Sequence, residues 1–180
     1  MKKTLPLLFL FLFYAPAYAQ GAGGNTGSAR DGRGGVPAGT LIDTPDGAKP
    51  IAALAAGGSV SAYRDGKLLK AEIKKIFVGS APVLRIKAGG KVLDAAAEHP
   101  LLTRNGFVQA GTLKAGDELA FPAGKGLRWA VITSAESLTE QRPVYTLELG
   151  APHTFIAGGF IVHNYYSGRG RSARRRRELR

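Results

Sequence analysis

The stretch from Val144 to Asn164 reads VYTLELGAPHTFIAGGFIVHN. Apolar and polar residues alternate from Val144 to Leu149, the period of a half-buried strand. His153 to Ala157 and Phe160 to Val162 are two further short apolar runs, and Gly158-Gly159 between them is a two-residue hairpin signal. The stretch closes on His163-Asn164, an imidazole beside a side-chain amide.

The same texture extends upstream. Strands are expected at Thr40–Ile42, Ser59–Tyr63, Leu68–Val78, Val83–Ala88, Lys91–Asp94, Glu118–Phe121 and Ala130–Leu138. Turn signals separate them at Pro45-Asp46-Gly47, Asp65-Gly66, Gly89-Gly90 and Asn105-Gly106. The best helix candidates, Ile51–Ala55 and Ala110–Leu113, amount to single turns, and Leu68–Val78 admits either a strand or a helix. Many short strands between glycine turns predict an all-β domain. Trp129 and the other aromatics are expected in its core, and Asp117, after a glycine, is expected to fix a turn.

Both ends of the 180-residue chain differ from this middle. Lys2 and Lys3 precede an apolar run from Leu5 to Tyr14, and Ala17-Tyr18-Ala19 has the small-x-small pattern of a signal peptidase site. A run this short spans a bilayer poorly, so 1–19 is read as a cleaved secretory signal, with an uncleaved anchor as the alternative. The mature chain is expected to start at Gln20 and to be exported, to the periplasm or beyond. Gln20–Gly34 (QGAGGNTGSARDGRG) has no large apolar residue and reads as a flexible linker, and its glycine spacing does not fit a phosphate loop. Tyr165–Arg180 carries seven arginines and one glutamate and reads as a disordered tail. Of the formal +12, the tail holds +6, the signal +2 and the linker +1, which leaves +3 for Gly35–Asn164. The basic character therefore belongs to the tail and argues little for a nucleic-acid-binding domain. With no cysteine, disulfides, thiolate metal sites and a cysteine nucleophile are all excluded.

Three segments taken together carry a resemblance. The first is Gly35–Gly47 (GVPAGTLIDTPDG) with Lys49-Pro50-Ile51 and Leu54 after it. The second is Ala96–Leu102 (AAEHPLL), followed by Gly106-Phe107 and Ala110–Asp117 (AGTLKAGD). The third is the Val144–Asn164 stretch. In order, and across the whole of 35–164, they resemble the blocks of Hint domains, the self-processing modules of inteins and hedgehog proteins. The bacterial secreted and toxin-associated varieties are the nearest in kind. The resemblance implies a horseshoe-like all-β fold that brings the two domain ends together. It also implies site residues: His99 from the second block, and His153, His163 and Asn164 from the third.

The departures bear on chemistry. Where the family has a cysteine or serine nucleophile, this chain has Gly35, which cannot perform an acyl shift. Ala96 stands where the second block has threonine, Thr146 where many inteins have Asp, and Tyr165 where ligation needs Cys, Ser or Thr. Splicing and amino-end cleavage are not expected. What is left is a single-turnover reaction: the Asn164 side chain attacks its own carbonyl, forms a succinimide and cuts Asn164–Tyr165. His163 is then expected to polarise the carbonyl and His153 to serve as general acid or base.

Each residue also has a plain structural reading. His99 can be a core histidine ordering the loop at Pro100, and His163-Asn164 a hydrogen-bonded strand end. The rival function is a non-catalytic β scaffold whose basic tail binds an anionic surface or nucleic acid. A remnant of a larger secreted effector is a third possibility. No cofactor, metal or small-molecule substrate is expected, since the three histidines lack local ligand spacing, and a monomer is expected.

Overall fold

The computed structural model describes residues 34–124 and 126–164. The signal and tail readings, and all of the linker reading except Gly34, lie outside those residues; Gly34 is buried against His99 rather than part of a flexible linker. Within them the chain is all-β, as expected, with twelve strands and two single 3₁₀ turns. The strands are β1 (Val36–Pro37), β2 (Leu41–Thr44), β3 (Gly47–Pro50), β4 (Ser59–Arg64), β5 (Lys67–Ala88) and β6 (Lys91–Ala96). Then follow β7 (Pro100–Thr103), β8 (Gly106–Gln109), β9 (Glu118–Ala123), β10 (Gly126–Leu149), β11 (Thr154–Ala157) and β12 (Phe160–His163). The 3₁₀ turns are Ile51–Ala53 and Ala110–Thr112, at the two positions where single helical turns are expected.

The strands run β3-β2-β11-β12-β7-β9-β10-β5-β4, with β1 on β10, β6 on β5 and β8 on β7. Among the described residues every strand pairing is antiparallel. Leu68–Val78 is strand, not helix. Ala71 and Ile73 point into the core while Lys70, Glu72 and Lys74 point out, so the period is two.

The structure differs from the sequence reading at two long strands. β5 joins the expected Leu68–Val78 and Val83–Ala88, and β10 joins Ala130–Leu138 and Val144–Leu149. The intervals 79–82 and 139–143 left between those expected strands are bridged because the two strands pair with each other, and the register shift between Leu138 and Gln141 falls beside Pro82. A proline is tolerated at such an irregularity because it has no ladder donor to lose there. β1, β3, β7 and β8 are not among the expected strands: β1, β3 and β7 each contain a proline, and β8 has a single apolar pair.

A repeat invisible to the strand-by-strand reading organises the whole. Thr44, Gly47, Leu54 and Gly57 recur as Thr103, Gly106, Leu113 and Gly116, always 59 positions on. Their bonds recur with them. Thr44 Oγ1 donates to Gly47 O at 2.6 Å and Thr103 Oγ1 to Gly106 O at 2.9 Å. Gly57 N donates to Ile73 O at 2.8 Å and Gly116 N to Ile132 O at 2.9 Å. Ile51 N donates to Thr40 O and Ala110 N to His99 O, each at 2.9 Å. The first half of the domain is thus built again in the second, and His99 occupies the position of Thr40.

Inside lies one large cluster that includes Ile42, Ile51, Val60, Ile73, Ile86, Leu93, Leu101, Leu119, Ile132, Leu147, Phe155 and Phe160, each almost wholly buried. Thr154 ties β11 to β4 beside it: its Oγ1 receives Tyr63 N–H at 3.0 Å and donates to Tyr63 O at 2.7 Å. Thr154→Val keeps the shape and leaves both Tyr63 groups buried without a partner. Urea denaturation is expected to show a loss of about 2–4 kcal/mol, since each orphaned buried group costs about 1–3 kcal/mol, whereas Val131→Ala on the exposed face should cost under about 0.5 kcal/mol.

Candidate functional site

The three histidines and Asn164 gather where the two ends of the domain meet. Gly35, just before β1, lies against β10 at Tyr145 and accepts a bond from Ala96 N at 2.9 Å. His99 sits in the turn between β6 and β7. His153 opens β11, and His163 and Asn164 close β12.

On the amino side, Gly35 N donates to His99 Nδ1 at 3.2 Å. The ring is 1% exposed and packs near Phe155, with 6.0 Å between ring centroids. Accepting at Nδ1 makes the neutral ring carry its proton on Nε2, which has no hydrogen-bond partner. Burial, with a smaller push from His163, lowers the His99 pKa to about 4. The histidine therefore keeps its contact with the amide at residue 35. Residue 35 itself is a glycine with no space for a side chain. Gly35 has a φ of +135°, and a Cβ built there would meet Tyr145 O at 2.8 Å. Real Cβ atoms essentially never come so close.

On the carboxyl side, Asn164 is 4% exposed and its side-chain amide is held at both ends. Its main-chain N donates to His153 O at 2.8 Å. Its side-chain Oδ1 accepts from Leu149 N at 3.0 Å, while Nδ2 donates to His153 O at 3.0 Å and faces His163 Nδ1 at 3.3 Å. The reverse amide orientation leaves Oδ1 against acceptors and gives Nδ2 only contacts of 3.4 Å to Leu149 O and 3.5 Å to His153 Nδ1. Hydrogen bonding selects the first. His163 Nδ1 also lies 3.0 Å from Asn164 O. His153 has a left-handed φ of 67°, and its Nδ1 donates to Leu149 O at 3.0 Å. That conformation costs a non-glycine residue about 1–3 kcal/mol and is held by the bonds around it.

The sequence-derived residues thus form two groups. His99 faces Gly35, while His153, His163 and Asn164 bond to one another. The charge of His163 is felt at His99. Sequence reasoning missed Leu149, which acts through its peptide group and leaves no mark in residue type. Thr146 and Ala96 are both buried, and each occupies its position without reaching the Asn164 group through a hydrogen bond.

No protein-family model and no curated protein sequence matches the chain. Solved structures do. A DnaB intein from Synechocystis sp. is 26% identical, with a TM-score of 0.69, over 74% of this chain and 99% of that one. The gp41-1 intein is 25% identical, with a TM-score of 0.64, over 73% of this chain and 98% of that one. A bacterial intein-like domain from Clostridium thermocellum is 25% identical, with a TM-score of 0.65, over 72% and 98%.

Two outcomes follow from the amino side. His99 is neutral when folded and takes up a proton more readily when unfolded, so the unfolded state binds more protons between pH 6.5 and about 4. Stability should be full above pH 6.5 and fall through that window by up to roughly 3 kcal/mol, and His99→Leu should flatten this part of the curve in denaturation at each pH. Gly35→Cys should lower the melting temperature, because a side chain meets a backbone oxygen at an unfavourable φ. Incubated with dithiothreitol, it should leave the bond between residues 34 and 35 intact by mass spectrometry. Thiol-induced cleavage there would show that the pocket opens for a nucleophile after all.

Proposed function

We propose that this Hint-type domain, all-β and intein-like in fold, is an exported self-processing domain that cuts its own chain once, between Asn164 and Tyr165, and does not splice. The observation that carries the reading is the placement of one nitrogen. His163 Nδ1 is within hydrogen-bond reach of both the attacking amide and the oxygen of the carbonyl under attack, at 3.3 Å and 3.0 Å.

The reaction forms a bond from Asn164 Nδ2 to the Asn164 carbonyl carbon and breaks the bond from that carbon to the Tyr165 nitrogen. Nδ2 loses one proton, and one proton ends on the Tyr165 nitrogen as the new amine leaves. The products are a succinimide at residue 164 and a free Tyr165. An amide is a poor nucleophile, so most of the acceleration must come from positioning and proton transfer. His153 O and Leu149 N grip the two ends of the side-chain amide. His163 Nδ1, when protonated, supports charge growing on the carbonyl oxygen. When unprotonated, it can take the proton from Nδ2. His153 contributes its main-chain oxygen, and its ring is turned to Leu149 O.

The absence of splicing rests on Gly35, Ala96 and Tyr165 standing where nucleophile, hydroxyl and acceptor are needed. Export rests on the amino-end sequence. The bonds that hold both ends of the Asn164 amide also suit a stable strand end and favour the second reading, a scaffold carrying a basic tail.

Intact mass after a day near neutral pH separates the two. A product ending at residue 164, lighter by one water than the hydrolysed form, is expected. It should vanish in Asn164→Ala and form about a hundredfold more slowly in His163→Ala, the usual worth of a lost acid–base group. The same spectrum should show a chain starting at Gln20 when the protein is taken from an exporting host. A full-length mass across a wide pH range would overturn the cleavage reading and leave the scaffold, whose tail should then bind anionic vesicles in a salt-dependent way.

A further inference from the structure

Phe107, on β8, has no part in the chemistry above and is 41% exposed. Its ring lies 4.9 Å from the His163 ring, centroid to centroid, with the planes at 72°. This is the edge-to-face arrangement that aromatic rings favour.

The internal repeat supplies a control. The β7–β8 hairpin copies the β2–β3 hairpin, with the same threonine-to-glycine turn bonds. Phe107 pairs with Leu102 as Ala48 pairs with Asp43. The hairpin therefore forms with alanine at this position. An exposed phenylalanine is present only in the copy whose side chain meets a site histidine.

We propose that Phe107 is a positioning residue for His163, fixing the rotation of its imidazole so that Nδ1, not Cδ2, faces the Asn164 carbonyl and amide. The proposal rests on the cyclisation reading for its effect on rate. Rotation about the bond from Cβ to the ring is broad and roughly two-fold, and a half-turn exchanges Nδ1 with Cδ2. A carbon at that place can neither donate to the carbonyl oxygen nor accept from Nδ2. The hydrogen bond from Nδ1 to Asn164 O holds one side of the ring, and Phe107 braces it. The His153 ring, 6.4 Å away and tilted by 34°, makes the looser of the two ring contacts to His163. His153, just before β11, and His99, before β7, are the titratable groups around it. Glu118 on the neighbouring β9 is engaged by Arg104.

Two measurements test this. In the full chain, Phe107→Ala should slow release of the tail about three- to tenfold, the worth of an aromatic pair, and Phe107→Tyr should restore the rate. In the Asn164→Ala background, which cannot cyclise, nitrogen NMR of the labelled imidazole should show one His163 tautomer with Phe107 or Tyr, and mixed or shifted signals with Ala. Unchanged His163 signals in Phe107→Ala overturn the proposal, even where the rate falls with stability. If the parent chain itself does not cleave, the cyclisation reading fails, and the NMR comparison still decides the role of Phe107.

Discussion

The carboxyl-side site depends on the direction in which one peptide group points. Leu149 lies opposite Ile73 in the β10–β5 pairing, just after a register shift. Ile73 spends its own N–H and C=O on Gly58 and Gly57, at 2.9 Å and 2.8 Å. The Leu149 groups face the other way, where a buried chain must find them partners. Those partners are the side chain of Asn164 and the ring of His153. A requirement of the strand edge is thus met by the groups that form the candidate site. This is why a buried asparagine can be held at both ends of its amide, and why His153 accepts a left-handed backbone.

The repeat explains the asymmetry between the two halves. The same turn, the same 3₁₀ corner and the same strand crossing are built twice with near-identical bond lengths. At the first corner stands Thr40, and at the second His99, each with its carbonyl on the following 3₁₀ turn. The backbone geometry is therefore indifferent to the side chain, and His99 is free to be whatever the buried interior requires. Phe107 against Ala48 is the same comparison one strand further on. What differs between the copies, on a backbone that does not differ, marks the half on which the histidines converge.

Much of this was legible in the residues. Alternation from Val144 to Leu149, the glycine pair at 158–159 and the three blocks pointed to an all-β Hint-type domain, and both 3₁₀ turns fell at expected places. β1, β3, β7 and β8 were not legible: the first three each contain a proline and β8 has a single apolar pair, whereas the equally short β2, β11 and β12 stood out as apolar runs. The fusion across 79–82 and 139–143 was hidden too, since both intervals lack a large apolar residue and end in a proline, and only the pairing shows the register shift that accommodates Pro82. Of the site, the side chains could be named from sequence, but the main-chain groups of Leu149 and His153 could not. A peptide group carries no residue identity, and only the fold decides which way it faces. The role of Phe107 was hidden for a related reason: what matters is its neighbour in space.

His99 presents the sharpest constraint on any history of the site. Holding a neutral imidazole at 1% exposure with Nε2 unpartnered costs about 1–3 kcal/mol. The bond from Gly35 N at 3.2 Å recovers only part of that, about 1 kcal/mol. An apolar residue of similar volume would pack against Phe155 without this penalty. What the histidine supplies instead is a bond at the chain's entry, where Gly35 is held between Ala96, Tyr145 and His99. With Gly35 locked in this way, β1 enters its short pairing with β10 at Tyr145, three residues from the Glu148–Leu149 register shift. The amino-side histidine thus helps hold the chain's entry against β10, the strand whose Leu149 bonds the Asn164 side chain.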